Sequence, residues 1–110
     1  MDPKITRAGT VERVPIADGT WRRTLGWGDR TLLSEVTLDK DGIVPLHDHP
    51  HEQIGYVARG TLEFTIGDQK VVLRAGDAYV IPGGTPHAVR ALEDSLAIDV
   101  FAPVREEYKP

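Results

Sequence analysis

The side chains best equipped for chemistry in this sequence are its histidines. His47, His49 and His51 alternate within Pro45-Leu46-His47-Asp48-His49-Pro50-His51-Glu52-Gln53, and His87 follows Pro82-Gly83-Gly84-Thr85-Pro86. Alternate residues of an extended strand project to one side, so His47 and His49 can offer two imidazoles to the same cation. Gln53 cannot simply continue that row. Six residues beyond His47 in extended form cover about 20 Å, whereas donors around one ion lie about 2.1 Å from it. The chain must therefore bend between His49 and Gln53, and Pro50, which cannot donate to a strand ladder, suits the bend. His87, arriving from a separate strand, would close the site. A lone HxH pair is a weak signal, but three histidines in one short stretch with a fourth behind a Gly/Pro turn point to a metal centre. The third donor from the first stretch stands between Gln53, Glu52 and His51, with the bend favouring Gln53.

The sequence has no cysteine, which excludes disulfides, thiolate metal sites and cysteine nucleophiles. Three neutral imidazoles and a neutral amide would leave the charge of one divalent ion uncompensated. Such a site is a good Lewis acid and attracts carboxylate or alkoxide oxygens. Zn, Ni, Co, Mn and Fe all suit these donors, with Zn or Ni favoured.

A second group lies near the end of the chain. Leu96, Ile98 and Val100 share one face of a strand, and Ala97, Asp99 and Phe101 share the other. The first face reads as packing. A small residue, an acid and an aromatic on the second face suit a cavity wall, the alternative being an edge-strand Asp99 that points into water. Arg105 could clamp a substrate carboxylate through its planar fork, or form a surface ion pair with Glu106 or Glu107. Tyr56 and Phe101 are the expected aromatic walls of a substrate pocket; Phe64, Tyr79 and Trp27 could also line it but, like Trp21, fit core packing more readily.

The elements that must position these groups read as short strands. The β-type runs are Leu32–Leu38, Gln53–Val57, Thr61–Ile66, Lys70–Leu73, Ala78–Ile81, His87–Leu92 and Leu96–Phe101, divided by Gly, Pro and Asp turn signals. Leu62, Phe64 and Ile66 alternate with Thr61, Glu63 and Thr65, as in a strand with one packed face. No amphipathic helix of useful length is present, although Val104–Lys109 could form a final helical turn. The expected class is all-β, a sandwich or barrel. Residues 1–10 are expected to be loose, and residues 11–110 to form a single barrel domain, the size of one ordinary core. The net charge of -4 and the lack of a basic face disfavour nucleic acid. No signal-like or membrane-spanning stretch is evident, so the expectation is a cytoplasmic protein acting away from membranes.

Residues 42–91 resemble the two motifs of the cupin superfamily. Gly42, His47-Asp48-His49, Gln53 and Gly60 follow the first motif, with one residue missing after Gly42 and Gln53 where glutamate is usual. Gly76, Pro82, Gly84 and His87 match every spacing of the second, while Ala91 replaces its terminal asparagine. The tail Asp99-Val100-Phe101-Ala102-Pro103-Val104-Arg105 is similar to that of small cupins related to the pectin-degradation, uronate-linearising group. The resemblance implies a double-stranded antiparallel β-barrel of jelly-roll type and a homodimer. It also implies metal ligands His47, His49, Gln53 and His87, with Asp99, Phe101 and Arg105 facing a small-molecule substrate, for which a 4,5-unsaturated uronate is the leading class. A metal-dependent dioxygenase and a non-catalytic binding or sensor module are the rival readings.

Overall fold

The computed structural model describes residues 1–110. Ten strands follow one another: β1 (Val14–Ala17), β2 (Thr20–Trp27), β3 (Leu32–Leu38), β4 (Ile43–His47), β5 (Glu52–Arg59), β6 (Thr61–Ile66), β7 (Gln69–Arg74), β8 (Ala78–Ile81), β9 (His87–Ala91) and β10 (Ser95–Ala102). A single 3-10 turn, Glu106–Tyr108, ends the chain. Residues 1–10 contain no strand and are exposed throughout. No helix is long and apolar enough to cross a membrane.

The strands form two antiparallel sheets. The six-stranded sheet has the order β1-β2-β3-β10-β5-β8, and the four-stranded sheet the order β4-β9-β6-β7. The closed barrel expected from the sequence is thus realised as two facing sheets, an arrangement consistent with a jelly roll. Alternation decides which side chains meet between them. Leu62 and Phe64 of β6, Val57 of β5, Tyr79 and Ile81 of β8 and Ala97 of β10 all bury their inward faces in one core cluster. Each large apolar side chain removed from water in this way stabilises the fold by about 1.5–3 kcal/mol. A smaller cluster of Leu32, Phe101 and Val104, flanked by Trp27 and Tyr108, anchors the segment leaving β10.

Two features of this topology build the site. Strand β10 runs between β3 and β5, with Asp99 opposite Ser34 on one side and Gly55 on the other. Asp99 is therefore an interior residue of a central strand, and the edge-strand alternative does not apply. Strand β4 pairs with β9 so that His47 lies directly opposite His87. One hydrogen-bonded ladder thus joins the two histidine stretches.

Candidate metal centre

Strand β4 ends at His47, so His49 does not share its strand face as the alternation suggested. His49 instead sits in the connection to β5, where its carbonyl accepts the Gly84 N–H at 2.8 Å. That bond fastens the Pro82–Thr85 turn to the first histidine stretch. Gly83 is required by the close approach, because a Cβ there would lie 2.3 Å from the Pro50 carbonyl oxygen. The bend expected between His49 and Gln53 is present, and β5 starts afresh at Glu52. Inward and outward residues then alternate, with Gln53, Gly55 and Val57 buried and Glu52, Ile54 and Tyr56 exposed. Glu52 is thereby turned away from the histidines. Tyr56, expected to line the pocket, points outward with 49% of its surface exposed. It lies three residues from Gln53, an odd spacing that puts it on the opposite face of the strand.

His47, His49 and His87 form a group whose candidate ligand atoms all lie within 4.8 Å of one another. The His47 and His87 ring centroids are 4.2 Å apart, and those of His49 and His87 5.0 Å. Each ring also has a backbone partner on its Nδ1 side. His47 Nδ1–H donates to the Pro45 carbonyl at 2.8 Å and His87 Nδ1–H to the Thr85 carbonyl at 2.8 Å. His49 Nδ1 faces the His51 carbonyl at 3.1 Å. Bonds of this kind fix the tautomer and leave Nε2 as a free lone pair directed into the site. His87 Nε2 is buried and has no partner at all. His51 stands outside this group, with its Nδ1 buried and unpartnered.

The contact between His49 and Gln53 is the most informative. Gln53 Oε1 lies 3.1 Å from His49 Nε2. With the His49 proton on Nδ1, two acceptors face each other across that gap. Moving the proton to Nε2 transfers the clash to the His51 carbonyl. Protonating both nitrogens would satisfy both contacts, but burial first, and then the positive charge of Arg105, hold His49 below the ordinary imidazole value. His87 is lowered further, to about 4, chiefly by burial. A cation among the Nε2 atoms and Gln53 Oε1 resolves every one of these contacts. Donors about 2.1 Å from one ion sit roughly 3.0–3.4 Å from each other, which brackets the His49–Gln53 separation. The donor set fits a divalent ion.

Asp99 occupies the adjoining wall. It is 5% exposed, and Tyr79 donates its phenolic O–H to Asp99 Oδ1 at 2.6 Å. Burial pushes the Asp99 carboxyl above the ordinary carboxylate value, while hydrogen bonds from Tyr79 and Gln53 and the charge of Arg105 pull it back. Gly55 makes room for this pair, since a Cβ there would stand 2.2 Å from Tyr79 Cζ and 2.4 Å from Asp99 Oδ1. His47, Gln53, His87, Asp99, Phe101, Arg105 and Tyr108 line one cavity. Its volume is about 40 Å³, room for an ion and a few waters. A larger groove between the N-terminal residues and β2 contains none of these groups.

Residues 34–101 match the cupin domain model. The chain belongs to the cupin family. Among curated proteins this cupin is 37% identical over 95 residues to the pectin degradation protein KdgF of Dickeya dadantii, with 84% of this chain and 86% of that protein covered. Among solved structures it superimposes on KdgF from a Halomonas species with a TM-score of 0.92 at 31% identity, over 98% of this chain and 100% of that one. An RmlC-like cupin from Shewanella frigidimarina is similar at a TM-score of 0.91 and 26% identity, covering 98% and 97% of the two chains. His47, Gln53, His87, Asp99, Phe101 and Arg105 line the cavity, His49 contacts Gln53 beside it, and Tyr56 faces outward. The sequence allows Tyr79 a place on the pocket wall but favours core packing, and its contact with Asp99 depends on a pairing of distant strands that no local pattern reveals.

Proposed function

We propose that this cupin binds one divalent ion through His47, His49, Gln53 and His87 and acts on a small sugar acid, linearising 4,5-unsaturated uronates. The carrying observation is the convergence of the His47, His49 and His87 rings, whose ligand atoms lie within 4.8 Å of one another, with Gln53 Oε1 3.1 Å from His49 Nε2. Zn and Ni are the favoured ions, and Co, Mn and Fe fit the same donors. The substrate class draws support from the similarity to proteins named for pectin degradation and from the Asp-x-Phe-x-x-x-Arg tail.

Linearisation is an isomerisation. The ring bond from the anomeric carbon to oxygen breaks, the anomeric O–H loses its proton, and a proton is added at the alkene carbon while the ring oxygen becomes a ketone. One group that takes a proton and returns it therefore suffices, and Asp99 is the buried titratable group placed for that role. Burial raises its proton affinity, while hydrogen bonds from Tyr79 and Gln53 hold the carboxyl in place. When bound, the ion supplies Lewis-acid polarisation of a substrate oxygen. Arg105 holds the carboxylate, and the Phe101 ring keeps that side of the cavity apolar. An isomerase reading is also in keeping with 34% identity over 76 residues to a Bacillus subtilis protein named H2HPP isomerase, 32% of whose length is covered. The test is incubation of metal-loaded protein with an unsaturated monouronate while following loss of the alkene absorbance. Substrate left untouched, under conditions in which a known linearising enzyme consumes it, rejects the assignment.

The outward face of the six-stranded sheet supports a homodimer. Leu33, Val100, Ile54 and Val80 lie side by side across four strands, and Ile98 and Tyr56 form the next row. Ile54 and Val80 are 51% and 55% exposed, a continuous apolar band of the kind that partners cover. Tyr56 belongs to this face, and Tyr56→Glu should yield monomer in sedimentation, whereas an unchanged mass would remove the proposal.

A further inference from the structure

The Arg105 guanidinium is held on several sides before any substrate arrives. Its side chain is only 11% exposed, and Nε–H donates to Glu107 Oε1 at 2.7 Å. Its Cζ lies 4.0 Å from the Tyr108 ring and 5.1 Å from the Phe101 ring, and those two rings meet nearly edge to face at 5.4 Å. The turn carrying Glu107 and Tyr108 is itself tied down, because the Tyr108 carbonyl accepts hydrogen bonds from Thr24 Oγ1 and Arg22 Nη1 of β2. Arg22 also lies 4.1 Å from the same ring. Val104, beside the start of the turn, is buried against Leu32 and Phe101.

A guanidinium can meet a carboxylate side-on, through Nε and one Nη, or end-on, through both Nη atoms. In this cavity the Nε–H is already taken, and the Nη atoms donate to no protein group. We infer that Glu107 is a positioning residue that fixes Arg105 between Phe101 and Tyr108 so that only its end-on edge meets the substrate carboxylate. The inference deepens the proposed function and rests on its assignment of a carboxylate-bearing substrate. Glu107 also compensates the charge of a largely buried guanidinium, and Arg105 in turn holds the Glu107 carboxyl below its ordinary value. Removing Glu107 would free both the Nε edge and the rotation of the fork, so a planar ligand would have to order it on binding.

The test uses full-length metal-loaded protein labelled with ¹⁵N in its arginine side chains, with D-galacturonate as a non-reacting uronate probe. A bonded, slowly exchanging Arg105 Nε–H signal is expected in the wild type, retained in Glu107→Gln and lost in Glu107→Ala. Galacturonate should shift the Nη signals and leave Nε–H in place. Its Kd should rise about tenfold in Glu107→Ala, the size of one charge-assisted bond, and much less in Glu107→Gln. With the unsaturated substrate, KM should rise in parallel while kcat changes little. Glu106→Ala, which removes only the exposed pair with Lys109, controls for loosening of the turn and should leave the Nε–H signal intact. An Nε–H signal indifferent to Glu107, or one displaced by galacturonate, would overturn the inference whatever the turnover. A protein that converts no uronate but keeps the Glu107-dependent signal and the rise in galacturonate Kd would refute the assigned reaction and leave the positioning role standing.

Discussion

At the residue scale, the positions of protons decide what the cavity can do. Gln53 is the donor where charge can be tuned most simply. Gln53→Glu adds a negative charge beside the ion, so divalent affinity should rise by about tenfold or more while Lewis acidity and turnover fall. Chelator competition and steady-state kinetics measure the two effects, and weaker binding in the variant would contradict the ligand assignment. Asp99→Asn keeps the shape and removes the titrating oxygen, so kcat should drop by about 10²–10⁴ with metal content unchanged. These residues were legible in the sequence because their spacing follows from strand geometry and from two motifs carrying Gly, Pro and His at fixed intervals. Tyr79 and Tyr108 were not assigned their roles, and Glu107 was read only as an alternative surface ion-pair partner of Arg105. What each does depends on a contact made after the chain has folded, with Asp99 across β5 for Tyr79 and with Arg105 within the terminal turn for the other two.

At the scale of elements, the site depends on the Pro82–Thr85 turn lying against His49 and Pro50. Gly83→Ala would place a Cβ 2.3 Å from the Pro50 carbonyl oxygen, so the turn must move and carry His87 away from His49. Metal affinity should fall by about tenfold or more, as when the support of a ligand is lost, while far-UV circular dichroism still reports a folded β protein. Unchanged chelator competition would show that the turn does not set the ligand geometry. The bounds of β6 were readable because apolar and polar residues alternate along it, and those of β3 and β8 because short β-forming runs are set off by Gly, Pro and Asp turn signals. Strands β1, β2 and β4 were given no bounds, although the His47 stretch was read as extended. Strand β2 is half-buried along nearly its whole length, so its sequence shows little alternation. Strand β4 contains Pro45, and its pairing with β9 is irregular between Val44 and His47. For these strands tertiary pairing outweighs local pattern.

For the whole molecule, stability should depend on pH and on the ion together. Burial holds His87 at about 4 in the fold against 6.5 in the unfolded chain, and lowers His49 as well. Between those values the unfolded chain binds more protons than the folded one, so stability of the metal-free protein rises with pH through that window and is complete above it. Asp99, raised by burial, works in the opposite direction, and the rise should steepen in Asp99→Asn. Thermal melts across that pH range check both, and a flat profile would contradict burial of neutral imidazoles. An ion at 100 times its Kd should add about 2.7 kcal/mol of stability above the window and far less below it, where the ligands are protonated. The most direct test is elemental analysis of freshly purified protein beside a variant in which His47, His49 and His87 are all replaced by alanine. The expected result is close to one divalent ion per chain in the natural protein and essentially none in the variant. Equal metal in both would contradict the assignment of these three imidazoles as its ligands.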